Sequence, residues 1–273
     1  MLRWNSGLRH LPRRTATRDA LGMRHLPLSA ADMLNRVTAA RLAKPVSGTF
    51  LDQLSDADQM DLLRFGQPRS FRRGASIVIQ GDRSDAVFVL LRGRVKVSLD
   101  TIDGHEIVLA VLRPGDLVGE FEVIEKDGGP RTATNVALES VESWKLSGDR
   151  FRSFLESHSQ AGLVLLRSII HRLRAADQRR TDSGSQGTVG RLAKLLVELA
   201  EEHGQPTSTG VDIDIPLTQQ ELASLISVSR ESVVRALRSL RSRGLVTTGR
   251  RRITIHDLRG LADRVDDAAW NAS

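Results

Sequence analysis

Two stretches of this chain carry residues whose types and spacing could do chemistry. The first is Arg230-Glu-Ser-Val-Val-Arg235. Glu231 and Arg235 lie one helical turn apart, so on a helix they share a face. An arginine there can bind guanine O6 and N7 in the DNA major groove, and a glutamate can accept from cytosine N4. The second stretch runs from Pro114 to Thr134. Gly119 lets the backbone approach a ligand closely. Glu120 can accept from a sugar hydroxyl. Arg131 can pair with a phosphate, with Thr132 and nearby backbone amides as further donors. Taken alone, each stretch also has a plainer reading: a solvated basic helix, and a barrel loop with an ordinary surface arginine.

The elements around the first stretch narrow the choice. Thr218 and Glu221 form a T-x-x-E capping box. Leu222, Leu225 and Ile226 then give a short helix one apolar side. Ile226-Ser-Val228 is too short for another element and reads as the turn. Ser229 can cap a second helix. On it Val233, Ala236, Leu237 and Leu240 face inward, leaving Arg230, Glu231, Arg235, Arg238 and Arg241 outside. Gly244 to Ile255 reads as a β-hairpin around Gly249-Arg250. The pattern predicts a winged helix-turn-helix, with Arg250, Arg251 and Arg252 at the wing tip for phosphate contact.

Ahead of it, a helix is expected from Phe50 to Phe65. Between Phe71 and Leu146, Gly81, Gly93, Gly104 and Gly115 recur every 11 or 12 residues. Short β-branched runs lie between them, at 76–79, 86–91, 95–99 and 107–112. That rhythm predicts an antiparallel sandwich or small barrel, with Asp103-Gly104 as a hairpin turn. A short helix over Asp149–Glu156 follows, capped near Ser147 or Asp149. A longer one spans about Gln160 to Arg180, with Leu163, Leu166, Ile170 and Leu173 as a coiled-coil seam. Leu165 and Ile169, on a neighbouring stripe, can pack on the barrel at the same time. Thr181 to Gly187 is a polar break and the expected hinge. Thr188–His203 is an amphipathic helix with Leu192, Leu195, Leu196 and Leu199 inward.

Composition bounds the rest. The 273 residues suffice for two domains, and the net charge of +7 permits a polyanionic partner. The chain has no cysteine, which excludes disulfides and thiolate metal sites and fits a reducing cytoplasm. No apolar run is long enough to span a membrane, and the absence of tyrosine argues against base stacking on single strands. A cupin-like metal site needs clustered His and carboxylates, and the barrel segment offers only His105, so no metal is expected. No nucleophile–base pair or catalytic phosphate loop appears, so no enzyme is expected. Met1 to about Ser47 lacks the apolar core of a signal peptide. It reads as a disordered basic arm, with one helix over 30–43.

Taken together these motifs resemble the CRP/FNR family of bacterial transcription regulators, from about Phe50 to His256. The resemblance rests on the turn glycines, Pro114-Gly-Asp116, Gly119-Glu120, Pro130-Arg-Thr-Ala133 and the helix-turn-helix. It implies an α+β chain: residues 1–47 an extension, 48–147 a jelly roll of cyclic-nucleotide-binding type with flanking helices, and 148–182 a short helix plus a dimerisation helix. Residues 183–256 would be the winged helix-turn-helix and 257–273 a tail. It implies a homodimer that reads a TGTGA-like inverted repeat in double-stranded DNA, contacts RNA polymerase and responds to a small effector: cAMP, cGMP or, as in members that have lost nucleotide binding, another molecule. In nucleotide-binding members, residues matching Gly119, Glu120, Arg131 and Thr132 hold the ligand, Glu on the ribose and Arg with the hydroxyl on the cyclic phosphate. Asp177 stands where an adenine-contacting hydroxyl often lies, and Ala176 precedes it. The position of Glu122 is usually small, so here a carboxylate lies beside an anionic ligand, and the loop to Arg131 is slightly lengthened. Thr218, Gln219 and Ser229 join Arg230, Glu231, Arg235, Arg250 and Arg251 as the candidate DNA-binding set. A second reading is a cyclic-nucleotide-binding scaffold protein whose basic domain does not read sequence.

Overall fold

The run Ala86–Arg92 is apolar on both faces, and the structure uses both. A computed structural model describes residues 45–263, apart from 65, 105, 126–128, 186, 250 and 251, and the backbone alone of 179–185. In it, strand β3 (Ala86–Arg92) turns Phe88 and Leu90 into a barrel interior with Val78, Val95, Leu112 and Val118. Its Val87 and Val89 point the other way, into a layer with Leu62, Trp144, Phe151, Phe154 and Leu165. This alternation is the period-two geometry of a strand, and it makes β3 the wall between two cores.

Two four-stranded sheets build the barrel. One is ordered β1 (Gln67–Phe71), β8 (Val141–Ser147), β3 and β6 (Leu117–Val118); the other is β2 (Ser76–Val78), β7 (Thr134–Ala137), β4 (Val95–Asp100) and β5 (Glu106–Leu112). Every pairing is antiparallel. The four recurrent glycines all lie in turns at positive φ. At Gly93 a side chain would also collide with the Ser140 carbonyl, 2.4 Å from the site of a Cβ. Strands β1, β6, β7 and β8 add to the four expected from the apolar runs. Gln67-Pro-Arg-Ser-Phe71 has no apolar alternation to announce it.

The helices depart from expectation at two ends. Helix α1 covers Asp56–Arg64 rather than starting at Phe50. Ser55 accepts from the Asp58 amide at 3.1 Å and so caps a helix that begins after it. Phe50, Leu51 and Leu54 are buried in the turns before it. After α2 (Phe121–Ile124), helix α3 (Gly148–Ser157) is capped by Ser147. Helix α4 runs over Ser159–Ser185, so the polar break expected from Thr181 narrows to the junction before Gly187, the cap of the next helix. Thr, Asp and Ser are only mildly poor helix formers, and one glycine at position 184 does not stop a long helix.

Beyond the junction come α5 (Thr188–His203), β9 (Gly204–Thr207), β10 (Gly210–Ile213), α6 (Gln219–Leu225), α7 (Arg230–Ser242), β11 (Val246–Gly249), β12 (Arg252–Ile255) and α8 (Leu258–Asp263). Leu192, Leu195, Leu196 and Leu199 enter one core with Leu222, Val233, Leu237 and Leu240. The sheet order β11-β12-β10-β9 extends the wing by a hairpin that the sequence reading passed over. Its signal was present in the alternation of Val211, Ile213 and Ile215, the last two buried. The extension up to residue 44, with its expected helix, the tail beyond 263 and His105 lie outside the described residues.

Strand β5 is the last in its sheet, and α6 covers part of its open edge. The Ser224 hydroxyl accepts from the Val108 amide at 2.7 Å and donates to the Glu106 carbonyl at 3.1 Å. Lys96 on β4 reaches Glu106 at 2.8 Å and Glu221 of α6 at 2.6 Å. Val108 and Leu138 of the barrel belong to the same apolar cluster as the helix-turn-helix.

Candidate nucleic-acid interface and effector pocket

The local chemistry of the helix-turn-helix fixes its geometry. Thr218 Oγ1 accepts from the Glu221 amide at 3.2 Å, and Glu221 accepts from the Thr218 amide at 2.7 Å, completing the capping box. The turn passes through Ser227 at φ 53°. Ser227 is the one non-glycine residue at positive φ among the described residues, and it sets the angle between the two helices. Ser229 accepts from the Ser232 amide and starts α7. Val233, Ala236, Leu237 and Leu240 are buried, while Arg230, Glu231, Arg235, Arg238 and Arg241 are exposed. Arg235 donates to the Ser232 hydroxyl at 3.0 Å, within its own face.

Thr218 and Arg252, also expected to contact DNA, have local partners. Thr218 is exposed but its amide and hydroxyl serve the cap; Gln219 is exposed beside it. Arg241 donates to Thr248 Oγ1 at 3.1 Å and so ties α7 to the wing. The wing register ends at Gly249 opposite Arg252. Arg252 therefore belongs to strand β12 rather than the tip, with Asp212 at 3.5 Å. Arg250 and Arg251 lie outside the described residues.

The pocket residues Gly119, Glu120, Arg131 and Thr132 do converge, together with Glu122. Arg131 is fully buried. Its Nη1 donates to the Gly119 carbonyl at 2.6 Å and to Glu122 at 2.9 Å. Its Nη2 donates to Ser84 Oγ at 2.8 Å and the Ala86 carbonyl at 2.6 Å. Nε has no partner. The other Glu122 oxygen accepts from both the amide and the hydroxyl of Thr132, each at 2.7 Å. Burial raises the pKa of Glu122, but the Thr132 donors and Arg131 outweigh it and hold the carboxyl below the usual range. Gly119 is at φ 80°, and a Cβ there would meet Arg131 Nη1 at 2.8 Å. Its missing side chain thus makes room for the arginine, where the sequence suggested room for a ligand. Glu120, also buried, accepts from Arg172 of α4 at 2.7 Å. Asp177 is exposed farther along α4.

The seam of α4 is left uncovered in the single chain. Leu163, Leu166, Ile170 and Leu173 are 45%, 52%, 38% and 58% exposed, whereas Leu165 is 5% exposed against the barrel. Four large apolar side chains in one helical stripe call for a covering partner. Among the described residues no group of three or more His, Asp or Glu is placed to hold a metal, and no helix is long and apolar enough to cross a membrane.

Sequence reasoning missed the Glu122–Arg131 pairing, the Arg172–Glu120 pair and the Lys96–Glu221 pair. Each partner sits far along the chain or in an irregular loop, where no periodicity reports it. The one available signal was Glu122 itself, a carboxylate beside residues suited to bind an anion.

Comparison with known proteins bears on both regions. The cyclic nucleotide-binding domain family matches residues 68–158, and the Crp-like helix-turn-helix domain family matches 190–264. The chain is 31% identical over 198 residues to the CRP-like cAMP-activated global transcriptional regulator of Mycobacterium tuberculosis, covering 72% of this chain and 88% of that one. It is 29% identical over 187 residues to the cAMP-activated global transcriptional regulator Vfr of Pseudomonas aeruginosa, covering 68% and 87%. The structure of FixK2 from Bradyrhizobium japonicum superposes with a TM-score of 0.64 at 19% identity, covering 74% of this chain and 98% of that one, a likeness of fold. With a jelly roll of cyclic-nucleotide-binding type joined by a long helix to a Crp-like helix-turn-helix, the chain belongs to the CRP/FNR family of transcription regulators.

Proposed function

We propose that this protein is a homodimeric, sequence-specific DNA-binding regulator of transcription whose barrel governs the placement of its two reading helices. The observation that carries the proposal is α7: its apolar face is locked into the core, so Arg230, Glu231 and Arg235 are held on one exposed face. Two such faces, paired through the uncovered seam of α4, would read an inverted repeat of TGTGA-like half-sites. Arg230 and Arg235 would donate to guanine and Glu231 would accept from cytosine. Thr218, Gln219, Ser229, Arg250 and Arg251 would hold the phosphates alongside, and RNA polymerase would be met on the DNA. The relatives from M. tuberculosis and P. aeruginosa are cAMP-activated, so cAMP and cGMP are the first small effectors to assay.

The test is fluorescence anisotropy on a TGTGA inverted repeat and on a scrambled duplex at one fixed salt concentration. Arg230→Ala and Arg235→Ala should each weaken specific binding by about 1–3 kcal/mol and leave the scrambled duplex little changed. Arg250→Ala and Arg251→Ala should weaken both duplexes alike and flatten the salt dependence. Equal losses on both duplexes from the α7 variants would rule out base reading and favour a scaffold role.

A further inference from the structure

The donors that this barrel type would offer a cyclic phosphate are already satisfied from within the chain. All four terminal N–H groups of Arg131 are engaged: two by the Gly119 and Ala86 carbonyls, one by Ser84, one by Glu122. The amide and hydroxyl of Thr132 converge on the other Glu122 oxygen. One carboxylate therefore bridges the arginine and the Thr132 pair with its two oxygens, as two oxygens of a bound phosphate would. Glu122 and Arg131 side chains are 7% and 1% exposed, so the pair is dry, and every terminal N–H of the arginine is met, leaving only Nε without a partner among the described residues. An anion entering the subsite would have to break those bonds and then sit against the Glu122 carboxylate in a weakly screened place. As arranged, the residues present do not fit a cyclic nucleotide.

We propose that the Glu122 carboxylate is a built-in occupant of the phosphate subsite, standing in for the ligand that this barrel type would otherwise take from solution. It holds Arg131 and Thr132, and through Gly119 and Glu120 the base of α2 and Arg172 of α4, in the arrangement a bound phosphate would impose. The protein then reaches its DNA-binding form without cAMP or cGMP. This rests on the barrel governing DNA binding, as proposed above, but nucleotide binding is read without DNA, so the two ideas fail separately.

The experiment is isothermal titration of the full-length protein with cAMP and cGMP, for wild type, Glu122→Ser and Glu122→Ser/Arg131→Ala. Wild type should show no saturable binding into the millimolar range. Glu122→Ser, which removes the competing carboxylate and frees one Arg131 N–H and both Thr132 donors, should bind at least about 100-fold tighter than wild type, and the double variant should lose that gain. Because an emptied subsite leaves Arg131 buried without its carboxylate counter-charge, Glu122→Ser is purified in inorganic phosphate. Phosphate should raise its melting temperature and not that of wild type. In the anisotropy assay, wild-type binding to the inverted repeat should be the same with and without nucleotide. Saturable micromolar binding of either nucleotide by wild type, or a Glu122→Ser variant that folds and binds no tighter, would overturn the proposal. Should the variant not fold even in phosphate, the wild-type titration decides by itself.

Discussion

Buried His203 gives this protein a pH signature. His203, at the end of α5, is 2% exposed in its side chain, and its Nε2 has no hydrogen-bond partner among the described residues; the Glu202 carboxylate is 3.6 Å away. Burial first, then the positive charges of Arg94 and Arg113, push its pKa down to about 4 from an ordinary 6.5. Between those values the unfolded chain binds a proton that the folded chain refuses. Stability from this residue is therefore complete above about pH 6.5 and declines as the pH falls towards 4, by at most about 3 kcal/mol. Urea denaturation of wild type and His203→Leu at pH 7 and at pH 4.5 should show the variant losing less stability on acidification. An equal loss in both proteins would mean that His203 is not the group responsible. Little of this was legible in the sequence. His203 sits at an inward position of a visible amphipathic helix, but Arg94 and Arg113 come from the barrel, far back along the chain. Glu122 was visible as an anomaly, whereas its pairing needs the loop to fold back on itself.

At the scale of elements, the sequence spoke clearly wherever burial follows a period. Helices α5 and α7, strands β2 to β5 and the capping box of α6 all follow apolar spacing or cap chemistry that a local stretch contains. Strands β1 and β9 were illegible because neither Gln67–Phe71 nor Gly204–Thr207 alternates; each is held by its neighbour's hydrogen bonds. Helix α4 was legible twice over, since its two apolar stripes were separable by eye and the structure buries one and leaves the other open. The open stripe makes a prediction about assembly. Leu166→Lys/Leu173→Lys should convert the expected dimer to monomer in sedimentation velocity, with each leucine contributing about 1.5–3 kcal/mol when covered. The barrel should keep its melting temperature, because Leu165 and Val164 face it on the other stripe. A dimer of unchanged affinity would show that the seam is covered by something else.

For the whole molecule, the joint between barrel and reading head matters most. Lys96 lies between Glu106 of its own sheet and Glu221 of α6, and its side chain is 10% exposed. Burial alone would lower its pKa, but the hydrogen bonds and charges of the two glutamates raise it overall, so the ammonium is retained. Lys96→Met would leave two carboxylates facing each other across the joint. We expect a loss of about 1–3 kcal/mol in chemical denaturation, with faster amide exchange at Val108, and Lys96→Arg should restore most of it. Unchanged exchange at Val108 would mean that the apolar contacts alone keep the joint closed.

The Ser224 hydroxyl that seals the edge of β5 has a practical corollary. It makes sensor and reader poor interchangeable parts. A chimaera that grafts another reading head onto this barrel, without a side chain at that place able both to accept and to donate, would leave the Val108 amide and Glu106 carbonyl bare. The barrel would then present an open strand to its neighbours in solution, and strands so exposed tend to find one another. In this chain the exchange is constrained there by one hydroxyl on α6, a residue that touches neither effector nor DNA in the arrangement proposed above.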